Sequence, residues 1–139
     1  MNTRKLVVEE GGFLYDSDAY SDDLPYWDTS YGRPHLIIPY TLSENDMRFA
    51  IPNGFSNGDQ FASYLIDSLK YLVEEGKNGH PTMMSVGLHC RLVGRAGRAA
   101  GLEKFLDYAK SLGTDVWICQ REEIARHWYN NHYPEGYAK

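Results

Sequence analysis

Apolar residues recur at helical spacing in four stretches of the chain. The clearest stretch begins at a capping residue, Ser56 or Asn57, and ends near Gly76. Its apolar stripe is typical of a helix that packs on a sheet, and consists of Phe61, Ala62, Leu65, Ile66, Leu69, Leu72 and Val73. Shorter stripes predict three further helices: one with Leu6 and Val7, one with Leu102, Phe105, Leu106, Ala109 and Leu112, and one with Ile124, Ala125 and Trp128.

Short apolar runs between these helices predict four strands, at residues 13–15, 36–38, 83–88 and 116–119. Alternating helices and strands are typical of an α/β protein with a mainly parallel sheet. We therefore expect a single domain over residues 1–139, with about four mainly parallel strands and flanking helices. Long polar loops follow the first two strands, and such loops often carry function in compact domains.

The third predicted strand ends on a histidine, His89, which a Gly/Arg-rich loop follows. Parallel α/β folds place their reacting groups at the carboxyl ends of strands, and an imidazole exchanges protons near neutral pH. His89 is therefore the candidate catalytic acid or base. The alternative is a structural histidine held by a hydrogen bond, whose replacement by Ala would cost about 1–3 kcal/mol. At a rim the same change costs little, and a small effect is what we expect.

One loop carries an unusual density of acidic residues. Within 13 residues that include no Lys or Arg, the chain has Asp16, Asp18, Asp22, Asp23 and Asp28. Of the 19 acidic residues, the 14 that lie elsewhere equal the 14 basic residues, so this loop holds the whole net charge. Aromatic residues interleave with the acids and would form a wall for a small planar ligand rich in N–H groups: Tyr20, Tyr26, Trp27 and Tyr31. A solvated acidic loop is the plainer alternative.

Patterns for metal binding or thiol catalysis are absent from the sequence. An EF-hand needs Gly and Glu at its sixth and twelfth positions, where this acidic loop has Ser and Trp. His89 and Cys90 are adjacent on the predicted strand and would point to opposite faces. His127 and His132 are five residues apart, which does not match the spacing of a helical zinc site. We therefore expect neither a metal nor another cofactor.

Charge and composition restrict the partners. A net charge of −5 and a pI near 5.5 argue against nucleic acid as a partner. No apolar run approaches the ~20 residues that span a bilayer, so we expect no membrane partner. The N-terminus lacks the apolar segment of a signal peptide. The two cysteines, Cys90 and Cys119, form no disulfide framework, which favours a cytoplasmic location.

Ordered motifs run along nearly the whole chain. They are NTR at 2–4, GGFLYDSD at 11–18, DDLPYW at 22–27, IPYT at 38–41, NDMRF at 45–49, GLH at 87–89, GR at 94–95 and IARHW at 124–128. Together they resemble the cofactor-independent allantoinases of the polysaccharide deacetylase superfamily. The 139 residues are about half of the ~250 typical of a barrel, and the chain is similar to the C-terminal half of that family.

The resemblance implies a distorted (β/α) barrel and a hydrolase that opens the hydantoin ring of allantoin, a cyclic ureide, in urate breakdown. The metal-ligand motifs of the metal-dependent superfamily members are absent, and His89 resembles the late-motif acid of the superfamily. We expect His89 to act as acid or base, and we expect the substrate to be bound by Asp16, Asp18, Asp23, Tyr26, Trp27 and Arg91.

Two alternatives stay open: a deacetylase of an amino-sugar polymer, and a non-catalytic, oligomerising remnant. About four strands cannot close a barrel, so open strand edges would need a partner. We expect that partner to be a second copy of this chain or a separate N-terminal half, and we expect the chain alone to be inactive.

Overall fold

The computed structural model describes residues 2–138. These residues fold as two compact units. The first unit comprises Met1–Tyr40 and Ile118–Lys139, and the second comprises Thr41–Trp117. The expectation of a single domain over residues 1–139 stays a prediction.

The four helices predicted from periodicity are confirmed. They are α1 (Thr3–Glu10), α2 (Gly58–Lys77), α3 (Ala96–Ser111) and α4 (Arg121–Asn131). The start of α2 follows from its cap, because the side-chain oxygen of Asn57 accepts a hydrogen bond of 3.0 Å from the backbone N–H of Gln60. Within residues 2–138, no helix has both the length and the apolar character that crossing a membrane requires.

A small mixed sheet lies in the first unit. Its strands are β1 (Tyr15–Asp16), β2 (Tyr26–Asp28) and β3 (His35–Ile37), in the spatial order β1-β3-β2. Strand β1 runs parallel to β3, and β2 runs antiparallel to it. The central strand β3 is buried along its whole length, as expected for an apolar run that has a neighbour on each side.

The observed strands correct the predicted ones. The second strand of the sheet, β2, lies in the segment predicted as a loop, and its antiparallel pairing contradicts a mainly parallel sheet. Neither residues 83–88 nor residues 116–119 form a strand in the described part of the chain, apart from one isolated parallel bridge between Asn45 and Gly87. An apolar run reports burial, whereas a strand also needs a neighbouring backbone to pair with. The α/β class holds, and the distorted barrel stays a prediction.

A polar cluster joins α1 to the sheet within the first unit. Arg4 donates from Nε to Oδ2 of Asp16 at 3.1 Å and from Nη2 to Oδ1 at 3.3 Å. The second carboxylate, Asp28, lies 3.7 Å from Nη1 of Arg4. His35 places Nε2 at 3.2 Å from Oδ2 of Asp16, without the alignment of a hydrogen bond. The hydrogen bond with Asp16 raises the pKa of Arg4, so the guanidinium stays charged in the cluster.

The second unit has its core between two helices. Helix α2 packs on α3, and their buried apolar residues form one cluster with neighbouring loops: Phe55, Phe61, Leu65, Leu69, Val93, Phe105 and Ala109. The helices approach closely where Gly58 meets Gly101. A Cβ on Gly101 would lie 2.2 Å from the carbonyl oxygen of Gly58, so this contact depends on the missing side chain.

His35 makes the stability of the first unit depend on pH. Burial lowers the pKa of its imidazole below 6.5, although the Asp16 carboxylate opposes the shift. The unfolded chain therefore binds a proton that the folded chain resists, and folding free energy is lost as the pH falls below about 6.5. Urea unfolding across this pH range should show that loss. Replacing His35 with Gln should flatten the profile, whereas replacing the exposed His80 with Gln should leave it unchanged. An equal slope in all three proteins would contradict the prediction.

The glycine contact between the helices gives a second test. Gly101→Ala should destabilise the chain by about 1–3 kcal/mol, because the added methyl group meets backbone and the helices must separate. Gly97→Ala is the matched control, since it lies on the same helix with nothing within 4 Å of its added Cβ. Urea denaturation measures both. A loss in Gly101→Ala no larger than that in the control would show that the helices tolerate the methyl group.

Candidate active site at Asp46 and His89

A fully buried carboxylate lies at the start of a short 3-10 helix, Asp46–Ala50, in the second unit. The residue before it, Asn45, caps this helix: its side-chain oxygen accepts a hydrogen bond of 2.8 Å from the backbone N–H of Met47. The cap fixes the direction in which the helix begins, and therefore where the side chain of Asp46 lies. A carboxylate buried in this way requires hydrogen-bond donors.

Three donors surround the Asp46 carboxylate. Its Oδ2 accepts from the backbone N–H of His89 at 2.8 Å and from that of Val93 at 3.0 Å. Its Oδ1 lies 2.6 Å from Nδ1 of the His89 ring. The carboxylate thus holds both the imidazole and the turn that follows it, where the N–H groups of Leu92 and Val93 bond to the carbonyl oxygen of His89.

The histidine of this pair is open to solvent. Its side chain is 49% exposed, whereas that of Asp46 is 0% exposed. A carboxylate can only accept, so Nδ1 of His89 donates to Asp46 and Nε2 is the nitrogen that exchanges protons. None of the hydrogen bonds found within residues 2–138 engages Nε2. This arrangement can accept a proton from, or deliver one to, a bound molecule.

His89 is exposed but does not end a strand among the described residues, and its position at a catalytic rim stays a prediction. The predicted strand at 83–88 is not formed within the described residues, and His89 follows the isolated bridge at Gly87 by two positions. The contact with buried Asp46 adds a structural role to the exposed one. The structural interpretation weighed from the sequence therefore has a partner in Asp46, and catalysis by His89 stays a prediction.

Sequence reasoning missed Asp46 as a site residue. It lies 43 residues before His89, in a segment without an apolar run, so no strand-end argument points to it. The one sequence signal that could have pointed to Asp46 was the NDMRF motif, in which Asp46 follows the capping residue Asn45.

The predicted acidic residues lie in the first unit. Asp16 contacts Arg4 and His35, and its role in substrate binding stays a prediction. Asp18 and Asp23 are exposed; their backbone N–H groups donate to neighbouring carboxylates of Asp16 and Asp22. Their role in substrate binding stays a prediction.

The predicted aromatic residues and the predicted arginine also have defined positions. Tyr26 shares a hydrogen bond of 2.9 Å with the hydroxyl of Ser21. Trp27 donates from Nε1 to the carbonyl oxygen of His132 at 2.7 Å and packs edge-on against tyrosines at the end of α4. Arg91 is exposed in the turn that follows His89. Arg91 lies two residues after His89 in the second unit, and the binding roles stay predictions.

Over residues 2–138, no three His, Cys, Asp or Glu residues are grouped so that they could hold a metal ion.

The burial of Asp46 replaces the small effect expected for His89→Ala with a larger one. Removal of the ring leaves Oδ1 of a buried carboxylate without its described partner, so we expect a loss of about 1–3 kcal/mol in unfolding free energy. His89→Asn, whose amide can still donate, should lose less. Arg91→Ala is the control, because an exposed side chain typically contributes within about 0.5 kcal/mol. Equal melting temperatures for His89→Ala and Arg91→Ala would contradict the structural role.

The chain is similar to proteins named as polysaccharide deacetylases and to an allantoinase. No family model matches the chain. A Schizosaccharomyces pombe protein named as a polysaccharide deacetylase is 44% identical over 146 aligned residues, which cover 95% of this chain and 45% of that protein. A Pseudomonas aeruginosa structure named as a polysaccharide deacetylase is 59% identical with a TM-score of 0.87, covering 94% of this chain and 44% of its own.

A structure of PuuE allantoinase is similar to the same extent, at 56% identity and a TM-score of 0.87 over 94% of this chain and 43% of that one. A Mycobacterium smegmatis structure, at 23% identity and a TM-score of 0.77, shares the fold. The chain thus spans a little under half the length of the Schizosaccharomyces pombe protein, the Pseudomonas aeruginosa structure and PuuE allantoinase. Nearly the whole chain is therefore similar, in sequence and fold, to a little under half the length of proteins of the polysaccharide deacetylase superfamily.

Proposed function

We propose that this chain forms part of a hydrolase that cleaves a non-peptide carbon–nitrogen bond, and that the substrate is a cyclic ureide such as allantoin. The observation that carries the proposal is a half-exposed imidazole, His89, held by the fully buried carboxylate of Asp46. Likeness to PuuE allantoinase over 94% of the chain supports the choice of a ureide.

The hydrolysis requires a proton for the leaving nitrogen, and His89 can supply it. Water adds its oxygen to the carbonyl carbon, the carbon–nitrogen bond breaks, and the leaving nitrogen takes up a proton. An amide nitrogen leaves poorly without that proton, so a positioned acid accelerates the step. In our proposal Nε2 of His89 takes a proton from the attacking water and passes it to the leaving nitrogen, while the hydrogen bond to Asp46 keeps Nδ1 protonated and the ring in one orientation.

Arg91 is the second residue that we place in this function. It is exposed in the turn next to His89, and a guanidinium stabilises a carbonyl oxygen as negative charge develops on it. Its exposed position suits contact with a ligand.

We also infer that activity requires the rest of the fold that the relatives have. The chain spans 43–45% of them, and the segment before α4 exposes large apolar side chains, with Trp117 59% and Ile118 60% exposed. Exposed apolar surface of this kind is costly in water and is typical of a face that another polypeptide covers. The complementary part of the superfamily fold is the occupant that we propose for it.

Deacetylation of an amino sugar is the second candidate, because two of the relatives are named for it. Both reactions hydrolyse an amide, and both would use the same proton transfer by His89. The substrate therefore distinguishes them.

The test combines the purified chain with the complementary part of the Pseudomonas aeruginosa relative. Allantoin and an N-acetylated chito-oligosaccharide are supplied to the chain alone, to the mixture, and to mixtures made with His89→Ala or with the exposed surface variant Tyr71→Ser as control. We expect a stable complex that hydrolyses allantoin, and a loss of about 100-fold or more in His89→Ala. The chain alone should be inactive.

The other outcomes are informative. Release of acetate without hydrolysis of allantoin would replace the ureide with an amino sugar. Full activity of His89→Ala would remove the proposed proton donor. Hydrolysis of allantoin by the chain alone would contradict the need for a complementary part.

A further inference from the structure

Two segments of the second unit run side by side next to the Asp46–His89 pair. Gly87 donates from its backbone N–H to the carbonyl oxygen of Glu44 at 2.8 Å, and Asp46 donates to the carbonyl oxygen of Gly87 at 3.0 Å. These two hydrogen bonds form the isolated parallel bridge between Asn45 and Gly87. The bridge lies one residue before Asp46 and two residues before His89, so its register determines whether the two side chains meet.

The side chain of Asn45 occupies the space that a side chain on Gly87 would need. A Cβ on Gly87 would lie 2.2 Å from Nδ2 and 2.8 Å from Cγ of Asn45, but 3.5 Å from its Cβ. Distances below 3.0 Å require something to move, and Asn45 is 6% exposed with its oxygen bonded to Met47. A side chain at position 87 would therefore push against a residue that has little room to yield.

Backbone conformation does not explain the glycine. Its φ lies outside the left-handed region, unlike that of Gly11 at +85° or Gly32 at +83°. Other residues could adopt the backbone of Gly87 without strain. What position 87 requires is the absence of a Cβ, and the group that needs this space is the cap of the Asp46 helix.

We propose that Gly87 is a positioning residue: its missing Cβ leaves room for the Asn45 side chain, and this keeps the register that places Asp46 against His89. The catalytic meaning of this register rests on the proposed function, whereas the geometry does not. Nδ1 of His89 and Oδ1 of Asp46 are 2.6 Å apart. A shift of about 1 Å between the segments would break this contact, and misplacements of that size in an active site reduce rates by about 100-fold.

The test uses the chain with isotope-labelled histidine, in which two-bond nitrogen–proton NMR spectra report the tautomer of His89. The wild type should show the Nδ1–H tautomer with a protected proton. Gly87→Ala should lose this signature. Asn45→Ala/Gly87→Ala should recover it to the level of Asn45→Ala alone, because truncation leaves an ordinary contact of 3.5 Å. Gly97→Ala, with nothing within 4 Å of its added Cβ, is the control.

Recovery in the double variant supports the proposal, including the case in which Gly87→Ala alone does not fold. A wild-type tautomer in Gly87→Ala would overturn it, as would a double variant no better than Gly87→Ala. In the complemented enzyme, Gly87→Ala should lower kcat by about 100-fold with little change in KM. An enzyme without activity whose tautomers follow this pattern would refute the proposed function and leave the positioning intact.

Discussion

The second unit depends on how one buried charge is satisfied. A carboxylate removed from water is costly unless donors replace the lost hydration, and Asp46 obtains three, from two backbone N–H groups and the ring of His89. The backbone donors fix the turn after His89, and the ring donor fixes the imidazole. The hydrogen bonds that stabilise the buried carboxylate therefore also orient the candidate acid. A substitution of His89 should change both the stability of this unit and the orientation of the proton-transferring ring.

The acidic residues of this chain differ in how many hydrogen-bond donors within the protein already contact them. Asp16 accepts hydrogen bonds from Arg4 and from the backbone N–H of Asp18, and its carboxylate lies 3.2 Å from Nε2 of His35. Asp28 has its own donors: although burial would raise its pKa, hydrogen bonds from Ser30 and the charge of Arg4 lower it overall. A dense acidic loop in sequence is thus partly a structural network in the fold, and the number of acids overstates the number available for binding.

The sequence predicts what local patterns determine. All four helices follow from apolar spacing and from caps such as Asn57, because helical hydrogen bonds are local. The strands are harder to predict from the sequence. Strand β2 pairs with β3 through residues such as Trp27 and Leu36, and no local sequence pattern specifies this pairing. His89 could be found because it ends an apolar run. Its partner Asp46 could not, because that contact spans 43 residues and follows only from the folded chain.

Two His–Asp pairs with opposite burial lie within residues 2–138, and the contrast explains why only one of these two suits proton transfer. In the first unit His35 is 4% exposed and lies beside a partly exposed Asp16. Burial there favours the neutral ring and shields it from any ligand. In the second unit the carboxylate is buried and the ring of His89 is half exposed. A proton carrier needs one nitrogen anchored and the other accessible, and of these two pairs the Asp46–His89 pair meets both conditions.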